Sequence, residues 1–370
     1  MCLTPLDFPS LLHIRTDVWF PDGNVVLVAG AAAFKVHKGQ LERHSEIFQD
    51  LFSVPQPQDQ PLLDDCPWVE LHDSSTDVLH LLRALYDGLY LDKPSADDFP
   101  VIAGVLRLST KYMIEHLRQR CLLRLTADWP ATLAAWDERE RFATDKESRY
   151  NPRDAYPHPL LVISLALELR LHELLPSAYF DLSRYGPRRI VAGTSVPQPE
   201  LLTPNVQQGD SEKECESDVL VPSHDELSII LHGRETGQRT VAMFIENELV
   251  SRPISIRCFN KHHDAGRVCR ESIYYVMLNI LRAIGGISHG RDADPLYTLT
   301  QVVEMLSRTD FTDGVKQTGL KMCTSCKADV QECVDRARKD VWDQIPSWFE
   351  MAPWKTTDTT SAEPEAEVKA

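Results

Sequence analysis

Cys258, Cys269, Cys323 and Cys326 are the residues whose type and spacing could do chemistry in this chain. Ten residues separate the first two, and the last two form a Cys-Thr-Ser-Cys turn far downstream. Such a turn can place two sulfurs about 2.3 Å from one tetrahedral ion, and a second pair from a distant loop would close a structural zinc site. His262 and His263 stand beside the first pair as competing ligands. The competing reading is packing, because Cys258 lies near Ile256 and Phe259 and Cys269 can be a buried thiol. A redox pair at Cys323 and Cys326 is weaker still, since no thioredoxin-like order of strand and helix surrounds it. The enzyme alternative is a metal- or thiol-dependent catalyst around Cys323 and Cys326, which requires an open coordination position or a depressed thiol pKa.

The remaining chemistry-bearing residues have structural explanations. Cys333 falls with Val330, Val334, Ala337 and Val341 on one helical face, and Cys121 has a similar setting, so burial accounts for both. Cys2, Cys66 and Cys215 stand in weakly patterned sections and form no constellation. His37 has no nucleophile or acid at a known catalytic spacing, and a hydrogen-bonding role is expected. Asp17 is expected to satisfy turn donors or a basic side chain. Arg184, Arg188 and Arg189 could hold a phosphate, but a solvated helix end or pairing with the acidic chain itself explains them better. Trp342, Trp348, Phe349 and Trp354 are read as core, with a partner anchor as the alternative. Phosphate-binding, dinucleotide, nucleophile-elbow and zinc-protease motifs are absent, and no catalytic residue is expected.

Composition narrows the partners. With 370 residues, 43% hydrophobic, the chain can bury two cores, and a net charge of −16 repels phosphate backbones and anionic lipid. Neither nucleic acid nor a membrane surface is an expected partner. No run approaches the roughly 20 apolar residues of a bilayer span, and Met1 to Ser10 lacks a basic start followed by an apolar stretch. The scattered cysteines suit a reducing compartment, so an intracellular protein of cytoplasm or nucleus is expected.

The elements that must position these residues come in two styles. Val18 to Phe20 and Val25 to Val28 read as strands joined in a hairpin through Pro21-Asp22-Gly23-Asn24. Phe34 to His37 is a third strand, followed by two helices over Lys38 to Phe52 broken near His44-Ser45. Phe34, Val36, Phe48, Leu51 and Phe52 are the core candidates there. Val54 to Pro67, with four prolines, reads as loop, and Trp68 to Leu71 as strand. Ser74 or Ser75 caps a helix that Gly88 stops. A helix pair follows, Phe99 to Leu108 and then a segment with Ile114, Leu117, Cys121 and Leu125 on one face. Past Thr126 the pattern is helical. Its best helices are Leu160 to Leu174, apolar almost all round and read as central, and Ile273 to Ile284, with Tyr274, Met277, Leu278 and Leu281 as its apolar side. Residues 195–217 read as a mobile insert, and Lys355 to Ala370 as disordered.

In this order the N-terminal elements resemble the BTB/POZ fold. Asp17-Val18 opens the first strand; Phe34-Lys35-Val36-His37-Lys38 resembles the family's Phe-x-Val-His-Lys signature, and Ser45-Glu46-Ile47-Phe48 with Leu51-Phe52 resembles the next helix. Val69-x-Leu71, the Leu82 to Tyr90 helix end, and Leu106 to Tyr112 with Leu117 and Cys121 continue the likeness over about 110 residues. The downstream region resembles that of large fungal BTB families, through Leu160 to Leu182 and through Arg338 to Phe349 with its Trp-x-x-x-Pro-x-x-Phe ending. The resemblance implies an α+β chain: an N-terminal small sheet flanked by helices, then a mainly α-helical region. The expected division is an extension over 1–14, the BTB/POZ-like domain over 15–125, an α-rich domain over 126–350 and a tail over 351–370. It also implies protein binding without catalysis, through self-association as a homodimer or recruitment of a partner. The alternative partner is a cullin, with the chain as substrate adaptor of a ubiquitin ligase. The short stretch before Asp17 leaves little room for a dimerisation arm. No propeller repeat and no finger-type Cys and His pairs are present.

Overall fold

The computed structural model describes residues 14–54, 62–91, 93–147, 149–197, 218–281, 284, 290–309, 311–312 and 317–354. The chain divides into two compact units. The first takes Met1–Pro130, Ala134–Leu174 and Gly193–Val221, and the second Ala131–Leu133, Leu175–Ala192 and Pro222–Ala370. The first unit therefore includes residues beyond 125. Of the expected extension over 1–14 and tail over 351–370, residues 1–13 and 355–370 lie outside the described residues, as does most of the insert (198–217).

The first unit is built on a four-stranded sheet of order β1-β3-β2-β4, with β1 at Ile14–Trp19, β2 at Val25–Ala29, β3 at Ala32–Val36 and β4 at Trp68–Leu71. The expected hairpin between the first two strands does not form. Strand β1 pairs in parallel with β3, and the hairpin is β2 with β3, turning at Gly30-Ala31. The physical reason is burial: Val-Val-Leu-Val-Ala is apolar at every position and all five residues are buried, so β2 takes an inner place between β3 and β4. One face of the sheet packs Val26, Val28 and Ala33 against Cys66, with Trp19, Leu63 and Trp68 around them. The alternate residues Val25, Leu27, Phe34 and Val36 are as deeply buried on the other face.

Helices α1 (Lys38–His44) and α2 (Glu46–Ser53) break at Ser45, as the sequence indicates. Ser45 is the N-cap of α2: its hydroxyl accepts from the Phe48 amide at 3.1 Å and donates to the Tyr112 carbonyl at 2.6 Å. Phe48 is buried and stacks on Tyr112 at 4.4 Å, whereas Leu51 and Phe52, expected in the core, are only half-buried. Helix α3 (Ser75–Tyr86) starts on Ser74 and ends before Gly88, whose φ of +90° suits a glycine stop. Helices α4 (Phe99–Lys111) and α5 (Glu115–Asp128) are the expected pair, with Ile114, Leu117, Cys121 and Leu125 all buried.

The unit continues with α6 (Leu133–Phe142), α7 (Pro152–Ala155), α8 (Pro159–Glu168) and a short ribbon of β5 (Thr194–Ser195) and β6 (Val219–Leu220). Helix α8 is shorter than the expected Leu160 to Leu174, because the backbone turns left-handed at Arg170 (φ +57°). Arg139 on α6 is buried, with its guanidinium carbon 4.6, 4.6 and 4.3 Å from the rings of Trp129, Trp136 and Tyr156. It also donates to the Asp128 carbonyl at 2.7 Å. A cation stripped of water is thus held by three ring faces and fixed acceptors.

The second unit is helical. Its central element is α9 (Leu175–Ser183), buried at every residue, rather than the Leu160 to Leu174 segment. Around it lie α10 (Pro187–Ala192), α11 (His224–Phe244) continuing as a π-helical turn over Ile245–Val250, α12 (Lys261–Asp264), α13 (Arg267–Ile280), α14 (Pro295–Ser307) and α15 (Thr324–Trp348). A two-residue ribbon of β7 (Phe311–Thr312) and β8 (Gln317–Thr318) precedes α15. Helix α11 opens with a capping box, Ser223 and Glu226 each accepting from the other's amide. Helix α13 ends at Ile280 and buries Cys269, Ser272, Ile273, Val276 and Ile280. Tyr274 and Leu278, expected on its apolar side, are 58% and 48% exposed, so the buried face is rotated from the expected one. Trp342, Trp348 and Phe349 are core, and Trp354 stacks on Trp342 at 5.1 Å. No helix among the described residues is long and apolar enough to cross a membrane.

Candidate functional site: a thiol cluster and the N-terminal domain

The four candidate cysteines come together in the second unit, with all four sulfurs within 4.8 Å of one another. Cys258 Sγ stands 3.7 Å from both Cys269 Sγ and Cys323 Sγ. None is in a disulfide, and Cys258, Cys269 and Cys326 are buried while Cys323 is partly exposed. Two helix starts supply three of them. Cys269 is the third residue of α13, Cys323 is the N-cap of α15, and Cys326 is the third residue of α15.

The ten residues between Cys258 and Cys269 do not span a wide loop. They fold back on Asn260, whose carbonyl accepts from the His263, Asp264 and Gly266 amides at 3.3, 3.2 and 3.0 Å. The return needs left-handed backbone at Ala265 (φ +56°) and Gly266 (φ +73°). A Cβ on Gly266 would also lie 2.4 Å from Ile254 Cδ1, so glycine is required twice over. His262 and His263 sit exposed on α12 and belong to no ligand group with the sulfurs.

Each sulfur receives hydrogen bonds that favour negative charge. The Ser255 amide donates to Cys326 Sγ at 3.4 Å, the Cys323 amide to Cys269 Sγ at 3.4 Å, and Asn260 Nδ2 to Cys269 Sγ at 3.3 Å. Burial pushes the Cys323 thiol up, but amide donors of Cys326 and Phe259 and neighbouring thiols outweigh it and hold the group at about 6. Burial drives Cys258 and Cys326 upward. Sequence reasoning found the four sulfurs but missed Ser255 and Asn260, whose only signal is their position two or three residues from Cys258.

The other singled-out residues are structural. The His37 amide donates to the Tyr86 hydroxyl at 2.9 Å, its Nδ1 lies 3.1 Å from the same oxygen, and its Nε2 lies 3.2 Å from Asp22. Asp17 accepts from Arg83 Nη2 at 2.8 Å. Arg184 is buried between Asp181 and Asp294, while Arg188 and Arg189 are exposed. Cys333 donates to Glu248 at 2.9 Å and Cys66 to the Gly23 carbonyl at 3.3 Å. Lys35, buried in β3, pairs with Asp64 at 2.8 Å.

What the N-terminal domain offers to solvent is apolar in places. On α2 Ile47 is exposed and Leu51, at i+4, is half-exposed, and Val54, the C-cap whose backbone has already turned extended, is exposed just past the helix. The deep core beneath comes from Phe48 alone on that helix.

No curated protein sequence matches the chain. Residues 22–127 match the family model of the BTB/POZ domain, over the sheet hairpin, β4 and all of α1 to α4 and nearly all of α5. This chain therefore carries a BTB/POZ domain, a protein-interaction domain, at residues 22–127.

Proposed function

We propose that the protein is a non-enzymatic interaction protein whose BTB/POZ domain mediates self-association. The reading is carried by α2 and its C-cap, where Ile47 and Val54 remain exposed on a domain of interaction type. Exposed apolar side chains on and beside a helix are what a helix-mediated contact uses. Support for a non-catalytic role comes from His37, Asp17 and Lys35, each engaged in a bond that holds the fold. The seven described cysteines are all free, which supports action in the reducing cytoplasm or nucleus.

The test is molar mass by light scattering of the purified chain over a hundredfold range of concentration. A mass rising to twice the monomer, and returning to one in Ile47→Asp with Val54→Asp, is the expected result. A monomer at every concentration would sink self-association. If that monomer captures a purified cullin, the chain is a ligase adaptor instead.

A further inference from the structure

We propose that Cys258, Cys269, Cys323 and Cys326 bind one Zn²⁺ as a closed structural site, fastening the 251–266 segment to the starts of α13 and α15. This assignment is independent of the interaction reading and concerns the second unit alone.

Distance is the first argument. Four sulfurs about 2.3 Å from a tetrahedral ion are about 3.8 Å from each other. The two measured separations from Cys258 are 3.7 Å, and all four sulfurs fall within 4.8 Å. Disulfide formation would need about 2.05 Å, and none of these cysteines is bridged. The set is complete with four sulfurs, so no coordination position remains for water, and the chemistry is structural rather than catalytic.

Charge is the second. Four thiolates around Zn²⁺ carry a net −2, which burial opposes unless donors surround it. Here the amides of Ser255 and Cys323 and the side-chain amide of Asn260 all point at sulfur. The N-termini of α13 and α15, helices of 14 and 25 residues, add the positive ends of two dipoles. Four packed neutral thiols would need neither feature. Each thiol releases its proton on binding, so uptake of the ion is accompanied by proton release.

The site also fastens a segment that has little else to hold it. Between Val250 and α13 only the four residues of α12 are helical, and Ile256 is 93% exposed, so this segment has little apolar burial of its own. Cys258 and Cys323 lie 65 residues apart, and an ion bridging them closes that loop.

The test is elemental mass spectrometry of the full chain purified under reducing conditions, alongside Cys323→Ser with Cys326→Ser. One equivalent of zinc in the native chain and none in the variant is expected. Because the variant can lose zinc by misfolding, a second measurement uses the native chain. Titration with a mercurial should release the zinc as four thiols are modified, and Co²⁺ exchanged into the site should show the absorption bands of a tetrahedral tetrathiolate. Metal-free protein that takes up no Co²⁺ overturns the proposal. So does zinc retained at full stoichiometry in the variant, or iron at that stoichiometry in the native chain.

Discussion

The guanidinium of Arg184 stands 3.0 Å from the carboxylate of Asp294, 110 residues further along the chain, with both side chains almost fully withdrawn from water. Asp181, one turn earlier on α9, shares the same guanidinium, and Asp294 also accepts from the Leu296 and Tyr297 amides at the start of α14. The arginine therefore ties α9 to the N-terminus of α14. Removing it strands two carboxylates in the core. Arg184→Ala is predicted to cost about 3–5 kcal/mol by denaturant titration. Adding Asp181→Asn and Asp294→Asn should return part of that loss, since no charge then remains unpaired.

Gly233 on α11 is a contact of a different kind. A Cβ there would lie 2.0 Å from Cε1 of Phe349, a buried ring just past α15. Gly233→Ala is predicted to lower stability by about 1–3 kcal/mol through overpacking. Combining it with Phe349→Leu should give less than the sum of the two single losses, which a double-mutant cycle in urea would measure.

Lys35 and Asp64 set a pH dependence. The hydrogen bond from the Lys35 ammonium, followed by its charge, holds the Asp64 carboxyl below its ordinary value of 3.8. A depressed folded-state pKa stabilises the fold above the unfolded value, and that contribution is lost as pH falls through the folded one. Asp64→Asn should therefore lower the melting temperature at pH 7 and converge on the native chain as pH drops below about 3.9. A difference that did not shrink as pH fell below about 3.9 would contradict this account. Asparagine is the right replacement because Asp64 has φ +52°, a conformation it tolerates.

Tyr86→Phe removes the acceptor of the His37 amide and the neighbour of its ring. The predicted cost is about 0.5–1.5 kcal/mol in a chemical melt. Oligomeric mass at a fixed concentration should not change, because the pair supports a strand-to-helix junction and not the exposed side chains of Ile47 and Val54.

Sequence pattern captured the elements whose signal is local. Ser45, Ser74 and Gly88 punctuate their helices as read, and the face through Ile114, Leu117, Cys121 and Leu125 is buried throughout. It failed where partners decide. Turn chemistry at Pro21 to Asn24 suggested a hairpin, yet the all-apolar β2 needs neighbours on both edges and takes β3 and β4. On α13 the large residues Tyr274 and Leu278 look like the buried side, but small Cys269 and Ser272 with Ile273 and Val276 face inward where the packing is close. Helix α11 went unread although Ser223-His-Asp-Glu226 is a capping box, because its apolar residues are diluted by charge. The sulfurs were legible by type, while their convergence depended on the fold-back at Asn260. Arg139 gave no signal, since its cage assembles from rings on separate segments.

The strand order of the sheet fixes an order of assembly. Strands β2 and β3 meet across two residues, whereas β1 reaches β3 from Ile14 to Ala32 and β4 reaches β2 from Trp68 to Val26. Closing a chain over 18 or 42 residues costs more entropy than closing a tight turn, so the inner ribbon is the seed onto which both outer strands zip. Substitutions within Val25 to Val36 should thus slow refolding, while those in β1 and β4 chiefly hasten unfolding.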